Sequence, residues 1–181
     1  MKTFNNIIFI GGIHGVGKSS VCYNICSKLN IHHLSASELI KWDELNEDPK
    51  NKKVVDIPDT QKRLIIGLQQ AVKDNKHYLL DGHYCLLNNG SEVTHVPLET
   101  FKQINPKLLI LILGDISEIK DKLEVRDHKR YDVGLLKSLQ NEELTYAKHL
   151  SKSLGIDLLI GNKDEYSVIM NSLPKFLGEN D

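Results

Sequence analysis

The run Gly12-Ile13-His14-Gly15-Val16-Gly17-Lys18-Ser19 constrains this chain more than any other feature. It follows the apolar stretch Ile7-Ile8-Phe9-Ile10-Gly11 and fits the pattern G-x-x-x-x-G-K-S/T. A buried strand runs into a glycine loop, and the loop opens a helix. Successive backbone N–H groups then point into one concavity and make a nest for phosphate oxygens. Gly12, Gly15 and Gly17 permit backbone angles and close approach that a Cβ would hinder. In such a loop the lysine, here Lys18, reaches the β- and γ-phosphates, and the hydroxyl, here Ser19, ligates Mg2+. His14, Val16 and Ser20 belong to the same nucleotide-binding stretch. A glycine-rich turn that only connects strand to helix is the alternative. The register of Lys18 and Ser19 and the two correct flanks weigh against it, so the expected ligand is a nucleoside triphosphate with Mg2+.

A chain of 181 residues accommodates one α/β domain and is too short for two ordinary ones. The formal charge of −1 argues against a broad nucleic-acid or membrane surface. The first residues lack the apolar length and cleavage site of a signal peptide, and no segment approaches a membrane-spanning run. Cys22, Cys26 and Cys85 form no regular framework, as in a reduced protein of the cytoplasm.

Apolar runs alternate with amphipathic stretches, the pattern of a parallel sheet covered by helices. Strands are expected over 7–10, 32–34, 78–81, 108–113 and 156–160. Helices are expected over 18–29, from Ser35 or Ser37 through Trp42, and over 59–73, 115–126, a long stretch ending at Gly155, and 167–177. The polar, lysine-rich residues 46–59 carry Pro49 and Pro58 and read as a mobile insertion. In the long helix, Leu136, Leu139, Ala147, Leu150 and Leu154 form the inner stripe, which the polar residues Gln140 to Glu143 weaken.

Mg2+ in such a site is held by the loop hydroxyl and an acid at the end of a neighbouring strand. Asp81 closes Leu79-Leu80 at the carboxyl edge, where ligands bind in open α/β sheets. The alternative is a turn-forming Asp before Gly82. His83 follows at once and is a candidate contact to substrate or water. Arg126 and Arg130, four apart, would share one face if their turn is helical, and could neutralise a moving phosphoryl group. A solvated charged turn is the other possibility. Cys22, Cys26, His32 and His33 lie close in sequence, but two buried thiols on the first helix are expected there, not a metal site.

Six segments together resemble the nucleoside monophosphate kinases, and more narrowly the archaeal-type adenylate kinases and the atypical nuclear adenylate kinase group. They are the glycine loop, Asp59-Thr60-Gln61-Lys62-Arg63, Leu80-Asp81-Gly82-His83, Ile104-Asn105-Pro106-Lys107, Glu124-Val125-Arg126 and Leu144-Thr145-Tyr146-Ala147. The resemblance implies a three-layer P-loop fold of a five-stranded parallel sheet flanked by helices, with small acceptor-binding and lid segments. It implies a single domain over 1–181, acceptor binding within residues 37–63 through Lys41 and Arg63, and a lid over 126–134 carrying Arg126 and Arg130. Asn162, after the last strand, would lie near the donor base. The usual arginine after the strand-three acid is missing here. The narrower groups place a histidine after that acid, as His83 does, and so His83 joins the implied acceptor set. The implied activity is transfer of the γ-phosphoryl of Mg-ATP to a nucleoside monophosphate, AMP first, with nucleotide substrates as partners and neither nucleic acid nor membrane expected. Two rivals are a small-metabolite kinase of the same fold and a nucleotide-dependent regulatory ATPase acting on a protein or RNA.

Overall fold

A computed structural model describes residues 4–41, 53–54, 57–88 and 90–178. Five parallel strands form the main sheet. They are β1 (Ile7–Gly11), β2 (Ile31–Ser35), β4 (His77–Asp81), β7 (Leu108–Leu113) and β8 (Leu158–Asn162), in the order β2-β4-β1-β7-β8. Helices flank the sheet as three layers, as expected: α1 (Lys18–Lys28), α2 (Ala36–Ile40), α3 (Ile57–Ala71), α4 (Leu98–Ile104), α5 (Ile116–Asp127), α6 (Val133–Leu154) and α7 (Ser167–Leu177).

The central strands are apolar throughout because both faces of a helix-covered parallel sheet are buried. Ile7, Ile10 and Leu108 through Ile112 are completely shielded. Each such side chain contributes about 1.5–3 kcal/mol by leaving water. That burial anchors the sheet edge from which the loops emerge. Gly11 ends β1 under the ring of Tyr84, where a Cβ would stand 2.3 Å from a ring carbon. The Tyr84 hydroxyl donates to the Ile110 carbonyl at 2.9 Å, which pins the ring across β1 and β7.

Several expectations are corrected. A second, small sheet pairs β3 (Lys53–Val54) parallel to β5 (Cys85–Asn88), and β5 antiparallel to β6 (Val93–His95). Neither β5, β6 nor α4 was foreseen, because each is short and β5 and β6 are only partly buried. The last strand lies two residues later than its apolar run suggested. Pro58 stands in the first turn of α3, where its missing N–H costs nothing. The rest of the expected insertion, with Pro49, lies largely outside the described residues, and so does Trp42 at the expected end of the second helix. Among the described residues no helix is long and apolar enough to cross a membrane.

Candidate functional site

The glycine loop is built as its sequence demands. Gly12, Gly15 and Gly17 have φ of 142°, 80° and 101°, all in the region that favours glycine. A Cβ on Gly12 would come within 2.5 Å of the Ile112 carbonyl oxygen. Gly17 caps α1, so the first N–H groups of that helix open onto the loop. Lys18 is buried, and its Nζ donates to the carbonyls of Gly12 at 2.6 Å and Ile13 at 3.3 Å. Burial holds the Lys18 pKa below its ordinary value, and the nearby charges of Asp81 and Glu143 offset only part of that.

Asp81 is the last residue of β4, paired with Ile10 on one side and Ser35 on the other. It therefore ends a strand and does not open a turn. Burial works to raise its carboxyl pKa. His33, Lys18 and His83 together outweigh that and hold it below the ordinary value. The ring of His83 packs against that of His14 with centroids 4.2 Å apart.

One cavity of about 560 Å³ gathers these groups. His14, Gly15, Gly17, Lys18, Ser19, Ser20, Asp81, His83 and Arg126 all line it. Phe9, Ile40, Leu64, Leu86 and Phe101 add an apolar lining, and the buried polar residues Thr60 and Gln61 line the cavity as well. Among the described residues the buried Gln61 Oε1 has no hydrogen-bond partner. Val16 and Asn162 line an adjoining cavity together with Lys163. There the Asn162 Oδ1 accepts from the N–H groups of Asp164 and Glu165.

Lys41, Arg63 and Arg130 line neither cavity. Lys41 closes α2 in the left-handed conformation, and Arg63 pairs with Asp59 at 3.0 Å. Arg130 does not share a helix face with Arg126: α5 stops at Asp127, and His128 turns the chain with φ 54°. Arg126 reaches the cavity rim through a two-pronged contact with Asp127, Nε to Oδ1 at 2.6 Å and an Nη to Oδ2 at 2.7 Å. The Tyr131 hydroxyl also donates to Asp127. Hydrogen bonds from Arg126, joined by Tyr131, hold the Asp127 carboxyl well below the usual carboxylate range.

The sign of the pH effect follows. A depressed carboxyl pKa stabilises the fold above the unfolded value of about 4, and that stabilisation is lost as pH falls toward the folded value. We expect Asp127→Asn to cost about 1–3 kcal/mol at neutral pH, the range for hydrogen bonds to a charged group. The gap to wild type should hold down to about pH 5 and shrink below about pH 4. Urea melts of both proteins across that span check it, and a gap that widens in acid would refute the assignment.

Two residues of the polar middle of α6 were missed. Glu143 is fully buried, and its Oε1 accepts from the N–H groups of Tyr84 at 3.0 Å and Cys85 at 3.1 Å. The His83 Nδ1 lies 3.7 Å from the same oxygen. Gln140 clamps Gly114, accepting from its N–H at 3.0 Å and donating to its carbonyl at 2.9 Å. One helix thus ties down both the loop after β4 and the loop after β7. The only signal in the sequence was polarity on a face that otherwise packs inward.

Comparison with known proteins places this geometry. Residues 11–139 match the AAA_17 family, described as an AAA domain. The adenylate kinase of Pyrococcus horikoshii is 29% identical over 164 residues, covering 79% of this chain and 81% of that one. The adenylate kinase of Mycoplasma mobile is 29% identical over 117 residues, 60% of this chain and 50% of that enzyme, so the match spans half its length. The UMP-CMP kinase 2 of Caenorhabditis elegans is 31% identical over 88 residues, 43% of this chain and 46% of its own. A solved gluconokinase from Sinorhizobium meliloti superposes with a TM-score of 0.51 over 94% of this chain and 99% of its own, at 12% identity, a likeness of fold alone. With its glycine loop, strand-end acid and parallel sheet in these positions, the chain belongs to the AAA_17 family as a kinase domain of the P-loop type.

Proposed function

We propose that this protein transfers the γ-phosphoryl group of Mg-ATP to a nucleoside monophosphate, with AMP as the first candidate acceptor. The observation that carries the proposal is the convergence of Lys18, Ser19, Asp81, His83 and Arg126 on one cavity that also has apolar lining and holds Gln61. The volume suits a ligand-sized pocket of a few hundred Å³. The triphosphate would lie in the glycine cradle, and the acceptor base would meet the apolar lining. The buried Gln61 Oε1 needs a donor, which the exocyclic amine of adenine supplies.

Ser19 and Asp81 suit a hard divalent cation, since a hydroxyl and an ionised carboxylate are oxygen donors. A divalent cation held by Ser19 and Asp81 would supply positive charge to offset the negative charge of the phosphates. The protein's own share is positioning and electrostatics. Lys18 neutralises the donor phosphates, and His83 orients the acceptor. Arg126 leaves Asp127 to meet the transferred group, within a lid spanning 126–134. Residues 37–63 would form the acceptor segment, with Lys41 and Arg63 drawing in the monophosphate. Arg130 would join Arg126, and Asn162 would sit beside the donor base.

An initial-rate panel of Mg-ATP with AMP, CMP, UMP, GMP and simple sugars tests the proposal. The expected result is ADP formation that depends on a monophosphate, fastest with AMP. Turnover with a sugar only would select the metabolite-kinase alternative. Slow release of inorganic phosphate, indifferent to every acceptor, would select the regulatory ATPase.

A further inference from the structure

Parallel pairing sets His33 opposite Leu79 and Ser35 opposite Asp81, and the alternation of β2 turns His33 and Ser35 to one face. Helix α1 lays the buried Cys22 against the same place. A Cys22 Sγ, a His33 ring nitrogen and an Asp81 carboxylate oxygen all lie within 4.8 Å of one another. The His33 Nε2 stands 3.8 Å from the Asp81 Oδ2, too far for a hydrogen bond. Two such donors on a tetrahedral metal with bonds near 2.0–2.3 Å stand about 3.5 Å apart. Neither Cys26 nor His32 takes part: His32 alternates to the other face and packs on Tyr78, with centroids 5.8 Å apart.

We propose that Cys22, His33 and Asp81 form a site for a borderline-soft divalent cation of the zinc class, and that its occupant competes with the hard cation of the nucleotide for Asp81. A thiolate, an imidazole and a carboxylate are three protein ligands with a fourth position left for water or a phosphate oxygen. The sulfur favours zinc-class ions over Mg2+, which takes oxygen ligands. On binding, the sulfur–hydrogen bond of Cys22 is replaced by a sulfur–metal bond and the proton passes to solvent. His33 binds as the neutral ring, and Asp81 is already ionised. No electron is transferred. The competition rests on the phosphotransfer proposal, whereas the site itself does not.

The full chain, reduced with a phosphine and stripped of metal, is titrated with Co2+. The expected result is a thiolate-to-cobalt charge-transfer band that saturates at one equivalent and is erased by Zn2+. Cys22→Ala should abolish the band. His33→Ala should weaken Co2+ binding at least about tenfold, since even partners outside the ligand set cost that much. The His33 side chain is 40% exposed, so this variant keeps the test decisive if Cys22→Ala does not fold. No band in wild type, a band that persists in Cys22→Ala, or unchanged affinity in His33→Ala would each overturn the site. In a second arm, Zn2+ is added to Mg-ATP turnover, with each variant's own metal-free rate as reference. His33→Ala should need at least about tenfold more Zn2+ for half inhibition. Equal sensitivity beside an intact cobalt band would overturn the competition and leave the site. A complete absence of turnover would count against the phosphotransfer proposal, and the spectral arm would still decide the site.

Discussion

Lys18→Ala is expected to lower kcat by about a hundred- to a thousandfold, the loss typical of removing one preorganised stabilising group. The physical case rests on where Lys18 sits. It is buried against the cavity, held by two carbonyls of its own loop, with the charges of Asp81 and Glu143 partly offsetting the downward pull of burial on its pKa. A cation in that position faces charge that moves between phosphates, so its contribution is larger in the transition state than in the ground state. The loss should therefore appear in kcat as well as in KM. Steady-state rates, with a thermal melt to establish that the variant folds, provide the check. A folded variant with near-normal turnover would remove Lys18 from the chemistry.

Glu143→Ala is expected to cost about 2–5 kcal/mol of stability and to depress turnover with it. Its carboxylate is the acceptor for two buried N–H groups, those of Tyr84 and Cys85. Each donor left unpaired costs about 1–3 kcal/mol. The same loop follows Asp81 directly and carries His83 into the cavity, so its loosening should misplace His83 and release the end of β4 at Asp81. Glu143→Gln supplies an acceptor oxygen without the charge and should recover part of the loss. The second carboxylate oxygen has no partner, so a neutral amide also relieves a buried charge there. Urea unfolding midpoints for the three proteins test this order. An alanine variant as stable as wild type would mean that the two N–H groups find other partners.

The legible parts of this molecule are those whose physics is local. The glycine loop needs only its own residues, and the buried strands announce themselves as unbroken apolar runs such as Leu108 to Leu113. Asp81 was legible because strand and carboxylate are adjacent. Glu143 was not, because its partners stand 59 and 58 residues earlier in the chain. Polarity inside an apolar stripe reads as exposure until the buried donors it serves are known. Arg130 depended on whether the chain stayed helical past Asp127, and the left-handed turn at His128 decided that. The meeting of Cys22, His33 and Asp81 depends on strand register, which a single sequence does not carry. Lys41, Arg63 and Asn162 came from family resemblance alone, and all three, like Arg130, lie outside the main cavity.

The central claim is that main-chain amides of the glycine loop, with Lys18, capture a nucleoside triphosphate. Calorimetric titration of Mg-ATP into the folded, metal-stripped protein measures it most directly. Saturable binding at one equivalent, weakened in Lys18→Ala, is the expected result. No heat from ATP or GTP in the presence of Mg2+, on protein shown to be folded, would contradict it.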